Sequence, residues 1–219
     1  SGVKMFTGII EATGTIKNIK RGTKSLTLFV NAEFDSVLEL GESIAVNGTC
    51  LTVTDFADGW FSADVTPETF SRTSLGSLSS GSIVNLERAM KATGRFGRHI
   101  VSGHIDGTAR FLSFAKEENA VNVSVVMNRT LGEFMIEKGS VALDGISLTI
   151  AKVKKDGSDY VITVAVIPHT WEHTTLSAKK SGQIVNIECD IIGKYIRHFA
   201  ELKKAPETNP AFLDFESYH

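Results

Sequence analysis

Residues 47–54 read NGTCLTVT and residues 144–151 read DGISLTIA. In both, an Asn-Gly or Asp-Gly pair precedes a run whose alternate positions are apolar, the mark of a tight turn feeding a half-buried strand. Residues two apart on a strand share a face. Cys50 and Thr52 therefore share one face and Leu51 and Val53 the other. Ser147 and Thr149, set against Leu148 and Ile150, repeat that division. Two small polar groups behind matching turns are either strand formers and core filler or two versions of one site.

The rest of the chain is written twice as well. FTGIIEATGTI (6–16) matches VSGHIDGTARF (101–111), and SIAVNGTCLTV (43–53) matches SVALDGISLTI (140–150). VTPETFSRTSL (65–75) matches VIPHTWEHTTL (166–176), and SGSIVNLE (80–87) matches SGQIVNIE (181–188). A repeat of about 100 residues is too long for a solenoid unit, so the pattern predicts two related domains in tandem. We place them at 5–98 and 99–190, joined through the exposed run KATGRFGRHIVS, with a helix and tail at 191–219. Residues 1–4 read as a cloning remnant ahead of Met5.

Within each copy, SLTLFV (25–30), CLTVTDF (50–56), VNVSVVM (121–127) and YVITVAVI (160–167) alternate as strands. Matching hairpin turns are expected at Ala57-Asp58-Gly59 and Asp156-Gly157-Ser158. Six short strands per copy predict a small closed antiparallel barrel, because closure removes exposed edges. Short helical pieces are expected near 33–38, 67–75, 129–136 and 168–176, and a longer helix over 191–205.

Net charge −2 with 22 % charged residues offers no electrostatic reason for nucleic acid or an anionic membrane as partner. No apolar run reaches the roughly 20 residues that span a bilayer. Two cysteines, Cys50 and Cys189, make no disulfide framework, so a reducing, cytoplasmic setting is expected. Glycine-rich phosphate loops and the Gly-x-Ser-x-Gly elbow are missing. Reading no His-x-x-x-His or Cys-x-x-Cys pair in the chain, we expect no metal site.

Three stretches carry polar chemistry. The duplicated turn-strand phrase is the first. GHID (103–106) faces GIIE (8–11), so His104, a residue type suited to general acid–base work, stands where the first copy has Ile9. DVTPET (64–69) and AVIPHT (165–170) each place a proline at a helix start beside capping groups, where a hydroxylated or anionic tail could be gripped.

Taken together, MFTGIIE, NGTCLTVT, GHID and DGISLTI inside a tandem duplication make the chain resemble the riboflavin synthase α-chain family, from Met5 to about Arg197. That resemblance implies an all-β fold of two tandem six-stranded Greek-key barrels plus a C-terminal α-helix that helps form a homotrimer. It implies conversion of two 6,7-dimethyl-8-ribityllumazine molecules into riboflavin and 5-amino-6-ribitylaminouracil, by four-carbon transfer without metal or organic cofactor. The family's site lies between the first barrel of one chain and the second barrel of another. Lumazine synthase is a candidate further partner.

Carried over by position, the family's first-barrel binding segments fall on Gly8, Ile9 and Ile10, on Cys50, Leu51 and Thr52, and on Asp64, Val65, Thr66, Pro67, Glu68 and Thr69. Its second-barrel segments fall on Gly103, His104 and Ile105, on Lys138, on Ser147, Leu148 and Thr149, and on Ala165, Val166, Ile167, Pro168, His169 and Thr170. Residues linked to catalysis in the family match Phe6, Ser43, Cys50, His104, Ser147, Thr149 and Asp190. Two departures stand out: Arg98 replaces a family glycine before the first hinge histidine, and His169 stands where the first copy has Glu68. The main rival reading is a lumazine or flavin carrier on the same duplicated barrel. A flavin-reductase barrel is a more distant one.

Overall fold

The structure is a computed structural model that describes residues 5–22 and 25–203. The proposed remnant at 1–4 and the tail beyond 203 lie outside the described residues. The first copy contributes β1 (Ala12–Arg21), β2 (Leu26–Asn31), β3 (Ser43–Val46), β4 (Thr49–Ala57), β5 (Trp60–Val65), α1 (Pro67–Arg72) and β6 (Ile83–Arg88). In the second follow β7 (Gly107–Lys116), β8 (Val121–Met127), α2 (Arg129–Gly132), β9 (Ser140–Leu143), β10 (Ile146–Asp156), β11 (Asp159–Val166), α3 (Pro168–Glu172) and β12 (Ile184–Cys189). A last helix, α4, spans Ile191–Leu202. Each copy closes into its own antiparallel barrel, in the orders β1-β2-β5-β4-β3-β6 and β10-β11-β8-β7-β12-β9.

Alternation decides what fills each barrel. Leu26, Leu28 and Val30 of β2 point inward to meet Leu51, Val53 and Phe61, and Val121, Val123 and Val125 of β8 do the same in the second barrel. Matching bulges between Ile16 and Asn18, and between Phe111 and Ser113, curl the long strands enough to close the sheet. Both expected hairpins form, with Ala57 opposite Trp60 and Asp156 opposite Asp159.

Two expectations for helices need correction. Residues 33–38 form no helix: Phe34 packs on the barrel at 6.5 Å from the Phe61 ring, and the carbonyls of Ser36 and Val37 accept from the Arg88 guanidinium instead of from a helical turn. The piece expected over 129–136 stops at Gly132, where the Tyr160 ring leaves room only for hydrogen, and the chain goes on as single turns that seat Met135 in the core.

The barrels meet about a pseudo-twofold axis, and buried polar groups hold the junction. Asn47-Gly48 and Asp144-Gly145 both take positive φ (46° and 78°, 44° and 82°), as two-residue hairpins require. The Asn85 amide donates to the Asp144 carbonyl at 3.0 Å and accepts from the Thr175 N–H at 2.8 Å. Asn186 mirrors it, donating to the Asn47 carbonyl at 2.8 Å and accepting from the Ser74 N–H. Both asparagines are fully buried, so losing either side chain would strand backbone groups of the other barrel.

Between those amides the turns touch backbone to backbone: a Cβ on Gly145 would lie 2.8 Å from the Gly48 nitrogen. Gly145→Ala is therefore expected to cost about 2–4 kcal/mol, combining left-handed strain with overlap. Gly81→Ala, at φ 87° but with nothing within 4 Å, should cost only the strain, about 1–2 kcal/mol. Urea denaturation of both variants measures the difference, and equal losses would contradict a tight turn-to-turn contact.

Candidate active site

Two short extended segments, which we call straps, run between the barrels. Phe6 in the N-terminal strap and Val101 in the inter-barrel strap exchange backbone hydrogen bonds of 2.8 and 3.2 Å. Beyond that bridge the straps cross. The Gly8 carbonyl accepts from the Ser147 N–H of the second barrel at 2.9 Å, and the Gly103 carbonyl accepts from the Cys50 N–H of the first barrel at 2.9 Å. Any Cβ at Gly8 or Gly103 would come within 2.5 Å of the Cβ of Ser147 or Cys50, so glycine alone permits the approach. Ile10 packs on the core of the second barrel, completing the exchange.

This corrects the grouping expected from sequence order. Gly8, Ile9 and Ile10 belong with Ser147, and Gly103, His104 and Ile105 belong with Cys50. Each pocket is thus built from both copies.

Each strap is held by a buried carboxylate of the last strand of its own copy. Glu87 accepts from the N–H and hydroxyl of Thr7 and from the Gly8 N–H, and Glu188 accepts the equivalent three from Ser102 and Gly103. Burial pushes the Glu87 carboxyl up to about 7 against the pull of those donors, and raises Glu188 for the same reason.

The Ser147 pocket contains a pair that motif reading missed. Ser147 is buried, and its hydroxyl lies 2.6 Å from His99 Nδ1. The other ring nitrogen of His99 is buried and finds no partner among the described residues. Burial lowers the His99 pKa; the charge of Asp190 opposes that shift and Arg98 adds to it. A neutral imidazole can take the Ser147 proton. Arg98 donates to the Ser147 carbonyl at 3.0 Å, so the departure from the family pattern sits on the candidate site itself. His99 lies 48 positions from Ser147 and belongs to no motif, so only folding brings the two together.

The remaining candidates distribute as follows. Cys50 is half-buried at the start of β4, Thr52 is exposed beside it, and Ser43 lies opposite Thr52 with its side chain buried. Thr149 is exposed opposite Ser140, and Leu51 and Leu148 point into the barrel cores. His104 is an exposed side chain on the strap beside Cys50. Phe6 is fully buried where the barrels meet, with Ala45, Val101 and Ala142. Asp190 caps α4 through the Ile192 N–H. Lys138 takes φ 67° in the turn before β9 and bonds the Ile150 carbonyl, one residue beyond Thr149.

Segments 64–69 and 165–170 each end a strand and open a short helix. Thr66 caps α1 through the Thr69 N–H, whereas Ile167 gives α3 no such cap. Glu68 pairs with Arg72 at 3.4 Å. The second copy has His169 and His173 at those places, their rings stacked at 4.2 Å; this is a His-x-x-x-His pair, which corrects the expectation that the chain has none. A small void of about 60 Å³ lies between Gly8–Ile10, Arg98, Ile146 and this histidine pair. A far larger cleft, about 580 Å³, lies between Ala32–Leu38 and Phe56–Trp60 at the opposite end of β4 from Cys50, and holds none of the candidates.

Two closed barrels, each with a small polar group under a strap from the other copy, define a duplicated barrel protein with two related candidate sites. The lumazine binding domain description matches residues 7–89 and 102–190. The chain is 50 % identical over 211 residues to the riboflavin synthase of Bacillus amyloliquefaciens, covering 96 % of each. It is 50 % identical over 216 residues to that of Actinobacillus pleuropneumoniae, covering 96 % of this chain and 97 % of the relative. A solved structure of LumP complexed with 6,7-dimethyl-8-(1′-D-ribityl) lumazine superposes with a TM-score of 0.73 at 25 % identity, over 84 % of this chain and 99 % of that one. The chain belongs to the riboflavin synthase family.

The raised Glu87 pKa makes a signed prediction. Between the unfolded value of 4.5 and about 7 the folded state holds the extra proton, so this residue's contribution falls as pH rises through that window. The full span corresponds to roughly 3 kcal/mol. Glu87→Gln should flatten the decline in stability between pH 5 and 8, measured by urea unfolding across pH. An unchanged profile would show that Glu87 ionises normally.

Proposed function

We propose that the chain is an enzyme that forms riboflavin from two molecules of 6,7-dimethyl-8-ribityllumazine, passing a four-carbon unit from one to the other and releasing 5-amino-6-ribitylaminouracil. Relatives half identical to it over nearly its whole length carry the name riboflavin synthase, and that supports the reading most strongly. A reaction that uses one molecule in two roles suits a duplicated fold whose pockets share architecture and differ in chemistry.

The pair formed by Ser147 and His99 is the proton-transfer group. The 7-methyl of the lumazine is acidic because the ring spreads the resulting negative charge, so a neutral imidazole acting through a hydroxyl is base enough. Cys50, under the strap that carries His104, supplies the nucleophile or orients a water for addition at C7 of the acceptor. Lys138, Thr52 and Thr149 bind or orient the rings, and segments 64–69 and 165–170 hold the ribityl chains. Bringing two rings into reacting geometry contributes about 7–11 kcal/mol of the barrier reduction.

Assembly is part of the proposal. One side of α4 exposes Ile192, Tyr195, Ile196, Phe199 and Leu202. Three such helices would bury these apolar faces in a homotrimer and bring the first barrel of one chain against the second of its neighbour. The cytoplasm, where the substrate's thiol-bearing partner Cys50 stays reduced, is the proposed compartment. Carriage of lumazine without turnover is the rival, favoured by the similarity to LumP.

Purified protein mixed with the lumazine alone should produce riboflavin fluorescence; tight binding without conversion would choose the carrier. Ser147→Ala and His99→Gln should each lower kcat by about 10²-fold or more with little change in binding. Made together they should cost about as much as either alone, because they act as one unit. Multiplying losses in the double variant would separate them. His104→Gln and Cys50→Ala should also reduce turnover more than binding.

A further inference from the structure

We infer that the second barrel's pocket prefers a ribityl tail ending in phosphate, while the first barrel's takes the uncharged tail. This rests on the reading of both pockets as sites for ribityl heterocycles and adds a charge preference that distinguishes them.

The observation is a swap of charge at equivalent places. In the first copy, Glu68 and Arg72 neutralise each other across one helical turn. In the second, the same two places hold His169 and His173, with ring centroids 4.2 Å apart and planes 15° apart. His173 Nδ1 lies 2.8 Å from the His169 carbonyl, which can only accept, so that nitrogen carries hydrogen and Nε2 is left to take a proton. Across the void stands Arg98, fixed by one nitrogen to the Ser147 carbonyl and keeping further N–H donors for a ligand.

Arg98, His169 and His173 all line this void, and its walls include no carboxylate. The strap residues Gly8, Ile9 and Ile10 and the floor at Ile146 bring no titratable group. Asp190 acts on His99, and neither lies in the wall. An anion beside the two stacked rings can accept hydrogen bonds from their N–H groups. The void, about 60 Å³, is small and brings Arg98 and both histidines to one place, which suits the end of a tail. At the equivalent places the first copy offers an ion pair, whose carboxylate, Glu68, opposes an added negative charge.

A phosphate monoester brings negative charge and three strong acceptor oxygens, which the Arg98 guanidinium and the ring N–H groups of the histidine pair can serve. Arg98 keeps its charge throughout the accessible pH range and so anchors the preference. The test compares riboflavin with riboflavin 5′-phosphate on the full chain, by quenching of flavin fluorescence at constant ionic strength. The phosphate ester is expected to bind at least ten-fold more tightly than riboflavin at pH 7, one per chain.

His169→Glu, which restores the first copy's residue, should bring the affinity ratio to one or below. His173→Gln should reduce it part way, and supplies the readout if the glutamate variant does not fold. Equal affinities in the native chain, phosphate-ester binding at two sites per chain, or a ratio unmoved by both substitutions would overturn the preference. Failure of riboflavin and dimethyl-ribityllumazine alike to bind would overturn the underlying reading of the pockets instead.

Discussion

The crossing of the two straps is the constraint on which the site depends. One glycine carbonyl from each strap takes the N–H of a candidate site residue in the other barrel, Ser147 or Cys50. Neither barrel completes its pocket alone. The bridge between Phe6 and Val101 fixes where the crossing occurs, and Glu87 and Glu188 fix how far each strap reaches beyond it. Because those carboxylates are buried and each accepts three hydrogen bonds, strap position and ionisation are linked.

Symmetry at the junction coexists with divergence in the chemistry. Asn85 and Asn186 make matching bonds, and the paired turns pack glycine on glycine. The first departure is near by: Asp144 pairs with Lys179 at 2.7 Å, where the first copy has Asn47 and Leu78. Further out the copies differ more, Cys50 against Ser147 with His99, and an ion pair against two histidines. Under the proposed function, a shared backbone frame would present the same heterocycle to both pockets while different polar groups act on it.

Much of the fold was legible in the sequence. Alternation in SLTLFV and VNVSVVM, turn residues between strands, and the repeat itself pointed to two six-stranded barrels. The failures have physical causes. Residues 33–38 carry helical spacing, yet the pull of Phe34 toward the core and of Arg88 on the carbonyls wins over local propensity. Sequence order also assigned Gly8 to the pocket of its own copy, because nothing local reports a contact with Ser147, 139 residues away. His99 was hidden for the same reason. Its importance comes from a hydrogen bond and from burial, and a lone histidine in a basic hinge signals neither.

The central claim is that each ligand is enclosed by residues of both copies. A crystal structure with an unreactive dimethyl-ribityllumazine analogue bound tests it most directly. The account predicts one ring touching the Gly8–Ile10 strap together with Ser147 and the 165–170 segment, and another touching the Gly103–Ile105 strap together with Cys50 and the 64–69 segment. An analogue that meets residues of one copy only, or that settles in the cleft beside Phe34 and Trp60, would contradict it.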